Sequence, residues 1–254
     1  MNKTVLFIAI TGLALTSSFT VNAEQSSLQK DVRAAMKLEY RTEADTKRDG
    51  NRYPAHALEF FGLKQNMKVI EFAPGNGWYS KLLAPVLKEK GELHLAYKSE
   101  WLDDMDTLLK NKEMNKAIKL PIELEWNNED YRYDLGKLDF GMHDADMVLN
   151  IREYHNFNLE DKAKLNNAAF DALKPGGTYV IVDHSRRHME PETRESARRE
   201  DPVKVIIEVQ AAGFVLEKSS DMFYRPDDEL RYEVGRKTVT GNTDRFTLVF
   251  KKPK

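Results

Sequence analysis

The chain has 254 residues, 41% hydrophobic and 31% charged, with 39 Lys and Arg against 41 Asp and Glu for a formal net charge of −2. That balance gives no electrostatic reason to expect nucleic acid or an anionic membrane as partner, and 13 Gly with 9 Pro are too few for a collagen-like or low-complexity chain. With no cysteine, disulfides, thiolate metal sites and a cysteine nucleophile are excluded.

The first 23 residues read as a cleaved secretory signal. Lys3 supplies the positive start, residues 5–19 are almost wholly apolar or small, and Val21-Asn22-Ala23 ends in the small residue that cleavage requires. A membrane anchor is the other reading, but Thr11, Gly12, Thr16, Ser17 and Ser18 interrupt the run, which falls short of the roughly 20 apolar residues of a span. The expected mature protein therefore starts at Glu24, is periplasmic and keeps no membrane span.

Residues 24–53 are polar, with Leu28, Val32, Met36 and Leu38 spaced as in an amphipathic helix lying across a larger body. The main domain is expected over 54–254. A short helical stripe through Ala55, Leu58 and Phe61 ends at Gly62, and a strand follows over 67–72. Residues 73–77 force a tight turn, and 78–90 read as a helix that Pro85 shortens or kinks. Next come a strand over 93–97, a helix over 101–118, an extended stretch over 122–126 and a buried strand over 147–151. Asn158 caps a helix that runs to 173 and is stopped by Lys174-Pro175-Gly176-Gly177. The strand over 179–183 is the most pronounced in the chain; Asp201-Pro202 opens a helix ending at Gly213, and strands over 214–218 and 245–251 close the sequence. This alternation predicts an α/β fold, a mostly parallel sheet covered by helices on both faces, with the last two strands pairing antiparallel.

In such a sheet, ligands bind beyond the carboxyl ends of the strands, where a strand-to-helix turn offers its backbone amides. Here that turn is Glu71-Phe72-Ala73-Pro74-Gly75-Asn76-Gly77-Trp78. A dinucleotide site would carry three glycines in G-x-G-x-x-G spacing and an acid ending the second strand, whereas this turn reads Ala-x-Gly-x-Gly and the strand ends at Tyr97, with Glu100 three residues on. A phosphate-binding loop also fails, because no Gly-Lys-Ser/Thr follows.

The run from Val69 to Gly77, the strand from Asp146 to Ile151, and Leu173-Lys174-Pro175-Gly176-Gly177 before a long apolar strand resemble the ordered motifs of class I S-adenosylmethionine-dependent methyltransferases. More narrowly, Pro74 to Ser80 with Leu83-Ala84-Pro85, Arg152 to Phe157, Val182-Asp183-His184 and Ala212-Gly213-Phe214 resemble a group of predicted, often exported, methyltransferases. The resemblance implies a Rossmann-like sheet of seven strands and S-adenosylmethionine as cofactor. It puts Glu71, Ala73, Gly75 and Gly77 around the methionine portion and ribose, counts Trp78 and Asn150 among the cofactor-binding residues, and puts the adenine near Asn128 and Asp130. Asn150 and Arg152, after the fourth strand, would face the substrate side. Two positions depart from the family pattern: Ala73 stands for the usual first glycine, and Tyr97 for the ribose-binding acid. An aromatic at 97 stacks on adenine or faces the cationic sulfonium.

Methyl transfer needs an acceptor held in line with the sulfonium at near-attack distance, and a base only where the acceptor must lose a proton. His155 is the leading base, with Asp183 and His184 next, since all three follow the carboxyl ends of central strands; packing and capping roles are the competing readings of the same residues. Their spacing matches no compact metal-ligand motif, so no metal is expected, and the basic run from Arg186 to Arg199, interleaved with Glu190, Glu192 and Glu195, reads as a solvated helix face. The sequence thus points to an exported enzyme, monomeric or weakly dimeric, that methylates a small-molecule acceptor. The alternative is a ligand-binding protein that keeps the fold without the chemistry.

Overall fold

The computed structural model describes residues 25–254; the expected signal segment lies outside the described residues. Three short helices come first, α1 (Ser27–Ala35), α2 (Glu43–Thr46) and α3 (Asp49–Arg52), followed by α4 (Pro54–Phe61). Then β1 (Lys68–Phe72), α5 (Ser80–Leu87), β2 (Glu92–Tyr97), α6 (Ser99–Asp104), α7 (Asp106–Leu109), β3 (Ile118–Pro121), β4 (Leu124–Asn127), β5 (Arg132–Leu135) and β6 (Ala145–Ile151) lead to α8 (Leu159–Ala172). The chain ends with β7 (Leu173–His184), α9 (Pro202–Ala211), β8 (Val215–Ser220) and β9 (Arg245–Lys251).

Seven strands form one sheet in the order β3-β2-β1-β6-β7-β9-β8. Its pairs are parallel from β3 to β7, and β9 lies antiparallel between β7 and β8. Apolar residues cover both faces. Leu28 and Val32 of α1, Leu58 and Phe61 of α4 and Leu82 and Leu83 of α5 close one face; Leu165 and Ala169 of α8 with Val205 and Val209 of α9 close the other. Asn158 caps α8 by accepting from Asp161 N at 2.9 Å, and Asp201 caps α9 by accepting from Val203 N at 2.9 Å.

Local chemistry explains where the elements depart from their expected bounds. The N-terminal helix breaks after Ala35 because Thr42 and Asp45 cap α2 reciprocally and Arg41 grips Asp49 through both nitrogens, at 2.9 and 2.6 Å. The helix expected over 101–118 ends at Leu109, and Ile118–Pro121 instead forms the edge strand beside β2; Pro121 is tolerated there because an edge need not donate outward. Residues 122–126 enter a separate two-stranded hairpin, β4 with β5. After Ala172 the chain passes straight into β7, and Lys174 to Gly177 fall where the β6–β7 register shifts from Ala145↔Leu173 to Met147↔Thr178.

Candidate active site

The turn after β1 takes left-handed backbone three times in five residues, at Ala73 (φ 47°), Gly75 (φ 56°) and Gly77 (φ 72°). Ala73 adopts there a conformation that costs an L-residue roughly 1–2 kcal/mol, and its N–H is tied to Ala96 O at 2.8 Å. The two glycines do different things. A Cβ at Gly75 would meet nothing within 4 Å, whereas one at Gly77 would lie 3.0 Å from Leu108 Cδ2 and 3.1 Å from Met105 Cε. Gly77 lets α6 and α7 close over the turn; Gly75 leaves open space in front of it.

Two cavities share that turn. One, of about 520 Å3, lies between the turn and α6–α7, with Tyr97, Trp101, Asp104, Leu108 and Asn111 on its wall. The rings of Tyr97 and Trp101 meet at a tilt of 50°, with centroids 4.7 Å apart. Lys119 takes up Asp103 and Asp106 and leaves Asp104 the acid of this segment that faces the cavity. The second cavity, about 170 Å3, holds Glu71, Ala73, Trp78, Arg48, Arg52, Arg152 and Glu153. Gly75 and Asn76 belong to both walls.

The two carboxyls of the smaller cavity are held protonated more firmly than usual. Burial pushes Glu71 up to about 8, against the hydrogen bond that Ser80 Oγ donates to its Oε2 at 2.6 Å. Burial likewise brings Glu153 up to about 7, partly offset by His155 and by Asn156, whose Nδ2 donates at 2.9 Å. Trp78 Nε1 donates to Asp45 O at 2.9 Å, and Arg52 lies over the Trp78 ring at 4.3 Å.

Beyond Glu153 the ends of β6 and β7 converge. Asp183, fully buried, accepts from His155 N at 3.0 Å and from His184 N at 2.7 Å, and its Oδ1 lies 2.6 Å from His155 Nδ1. Arg152, itself in a left-handed conformation (φ 67°), donates from Nε to His184 Nε2 at 3.2 Å. This places the His184 proton on Nδ1, which is buried without a partner. Burial, followed by the Arg152 and His155 charges, lowers His184 well below the usual histidine range and keeps it neutral.

Glu71, Ala73, Gly75, Trp78 and Arg152 therefore meet in one cavity, with Tyr97 next door, and His155, Asp183 and His184 form one hydrogen-bonded cluster. Other expected positions lie elsewhere. His155 lines a third cavity, about 780 Å3, with Trp126, Asp130, Arg132 and Glu192, so its ring faces the hairpin side and not the glycine turn. Asn128 and Asp130 follow β4 in the hairpin connection, exposed and outside both turn cavities. Asn150 is completely buried in the sheet between Phe72 and Ile181 and lines neither of the turn cavities. Among the described residues no group of three or more His, Cys, Asp or Glu is placed to hold a metal.

Sequence reasoning did not single out Glu153, Asp104, Trp101, Arg48 or Arg52. For Glu153 the available signal was an acid two residues beyond a buried strand; for the arginines it was an i, i+4 basic pair in a segment read as an amphipathic helix lying across the main body.

No family model matches the chain. It is 25% identical over 146 residues to the ubiquinone/menaquinone biosynthesis C-methyltransferase UbiE of Proteus mirabilis, a match covering 54% of this chain, which spans about half (50%) of that relative. Among solved structures it resembles a SAM-dependent methyltransferase from Aquifex aeolicus (TM-score 0.54, 16% identity, 88% of this chain and 98% of that one). An arsenic(III) S-adenosylmethionine methyltransferase from Chlamydomonas reinhardtii is also similar (TM-score 0.55, 18% identity, 88% and 73%), as is the [4+2]-cyclase SpnF (TM-score 0.59, 12% identity, 85% of each chain). With its strand order, its antiparallel β9 and the open glycine turn after β1, the chain has the Rossmann-like fold of the class I S-adenosylmethionine-dependent methyltransferases.

Proposed function

We propose that this protein is an S-adenosylmethionine-dependent methyltransferase acting on a small-molecule acceptor outside the cytoplasm. The observation that carries the reading is the pair of cavities joined at Gly75 and Asn76. One, about 520 Å3, carries the aromatic rings of Tyr97 and Trp101; the other, about 170 Å3, carries the carboxyls of Glu71 and Glu153 beside three arginines. The open space where a Gly75 Cβ would project suits close approach of a ligand to backbone.

In this assignment Tyr97 and Trp101 flank the adenosyl group, and Asp104 on α6 accepts from the ribose hydroxyls, the task usually given to an acid ending β2. Glu71 faces the ammonium of the methionine end. When bound, the cofactor supplies an electrophilic methyl on a cationic sulfur and leaves as the neutral thioether. Glu153 stands at the end of the cavity nearest β6, where its carboxylate takes the proton that an O–H or N–H acceptor gives up. With its pKa near 7, it is matched to general-base work at neutral pH. Arg152, held by Val182 O at 2.7 Å and by His184, is fixed as an acceptor-side cation. His155, oriented by Asp183, borders this site from the hairpin side.

Calorimetry of the mature protein with S-adenosylmethionine and S-adenosylhomocysteine tests the reading: saturable binding of both is expected, and no binding of either refutes it. The second reading is a binding or repurposed protein, favoured by the likeness to a [4+2]-cyclase, since one fold hosts different chemistries. It predicts cofactor binding with no methyl transfer to any acceptor in a metabolite screen. The extracytoplasmic location rests on Lys3, the apolar run and Ala23. Mass spectrometry of the exported fraction should find Glu24 as the mature N-terminus, and an intact Met1 in the cytosol would overturn that part of the proposal.

A further inference from the structure

A cavity of about 360 Å3 opens where α3, the loop after β6, the end of β7 and the segment before β9 meet. Its wall carries Lys47, Arg48, Arg52, Arg152, Arg198 and Arg245 and no carboxylate. Arg198 is engaged by Glu233; among the described residues none of the other five has a carboxylate oxygen within 4.0 Å. Arg52 and Arg245 are only 6% and 8% exposed. One Arg245 nitrogen donates to Asn51 O at 2.8 Å, but its Nε is buried without a partner, as is Nδ1 of His184 on the same wall. Burial, reinforced by the charge of Arg152, brings Arg52 down to about 9 and Arg245 to about 10 against the opposing influence of Tyr79.

Arg52 and Arg245, buried beside the half-buried Arg152 with no carboxylate in contact, oppose folding, so the arrangement asks for an anion. Guanidinium forks match the oxygens of phosphate and carboxylate groups. A bound cofactor does not satisfy them all: with its ammonium on Glu71 it offers a single carboxylate to Arg48, Arg52 and Arg152, whereas Lys47, Arg198 and Arg245 line this pocket and not the smaller turn cavity. The volume suits a small molecule and not a polymer. Arg48, Arg52 and Arg152 also line the cavity that contains Glu153 and Gly75, so an anion seated here holds the rest of its molecule against the proposed base.

We infer that this pocket binds a compact dianionic group, a phosphate or a pair of carboxylates, carried by the methyl acceptor. The inference rests on the methyl-transfer reading for the word acceptor. The anion site itself stands on the pocket.

The test is calorimetry of the mature protein at low ionic strength with inorganic phosphate and, separately, with malonate, each with and without saturating S-adenosylhomocysteine. Saturable binding of at least one anion, retained when S-adenosylhomocysteine is present, is expected; preference between the two assigns the phosphate or dicarboxylate form. Arg245→Gln should weaken that binding at least tenfold and Lys47→Gln, at the exposed rim, several-fold, with S-adenosylhomocysteine affinity unchanged in both. Absence of anion binding to the wild type, or its displacement by S-adenosylhomocysteine, overturns the inference and leaves the methyltransferase reading intact. Anion binding to a protein that binds neither form of the cofactor overturns that reading and, with it, the assignment to an acceptor.

Discussion

Glu153 is the residue on which the proposed chemistry turns. It works as a base only when ionised, and burial has moved that ionisation up to about 7. Methyl transfer to a protonated acceptor should therefore rise with pH through about 7 and level off above it. Glu153→Gln keeps the shape and the Asn156 contact but cannot take a proton, so single-turnover rates should fall by roughly 10²–10⁴, the usual range for a general base. Cofactor affinity should be retained, and an unchanged rate in the folded variant would remove Glu153 from the mechanism. At Gly75 the question is binding. The Cβ of Gly75→Ala enters open space and costs only about 1 kcal/mol of backbone strain at φ 56°, so the fold survives while that methyl obstructs the ligand. Calorimetry should show cofactor affinity reduced tenfold or more. Gly77→Val is a poorer probe, because it strains the backbone and collides with Leu108 and Met105 together.

Elements differ in how far the sequence disclosed them, for physical reasons. β1, β6, β7 and β9 are central strands and write themselves as apolar runs. The edge strand β3 has an exposed and half-exposed pattern and leaves no such trace, and the break of the N-terminal segment depends on side-chain caps that periodicity does not report. The site follows the same division. Glu71, Gly75 and Gly77 are legible because one turn brings them together, and Asp183 because it ends a pronounced strand. Glu153, Asp104 and the arginines gain meaning only when α3, α6 and the β6 loop converge in space. The N-terminal helices are pinned by Asp45, whose Oδ2 lies 2.7 Å from Lys81 Nζ and accepts from Thr42 N at 2.8 Å. Both side chains of this ion pair are 11% exposed. Asp45→Asn should leave a part-buried ammonium unpaired and cost on the order of 1–3 kcal/mol in urea denaturation. A loss of anion binding in parallel would show that the same contact sets Arg48 and Arg52, whereas unchanged stability would show that α2 and α3 are held by their other contacts, the Arg41–Asp49 pair and the Trp78 hydrogen bond among them.

At the scale of the whole molecule, the raised carboxyls couple stability to pH. Glu71 has a pKa of about 8 in the folded protein and an ordinary value of 4.5 when exposed, and Glu153 moves from 4.5 to about 7. Between those limits the native state binds more protons than the unfolded chain, so stability falls as pH rises through the window. His184 acts in the opposite sense: neutral in the fold, it destabilises the protein only where the unfolded imidazole charges, below about 6.5. The carboxyl effect is therefore isolated above pH 6.5. From there to pH 8.5, Glu71 alone should remove about 2 kcal/mol, an order-of-magnitude figure from 1.36 kcal/mol per pKa unit. Urea midpoints should fall across that interval, and Glu71→Gln, which keeps a neutral partner for Ser80, should flatten most of the slope and be the more stable protein at pH 8.5. A wild-type profile that is level from pH 6.5 to 8.5 would show that the Glu71 carboxyl ionises at its ordinary value, and the cationic end of the cofactor would then meet a preformed carboxylate. With the raised value, cofactor binding releases a proton, so its affinity rises as pH climbs toward 8, and calorimetry in buffers of different ionisation enthalpy counts that proton directly.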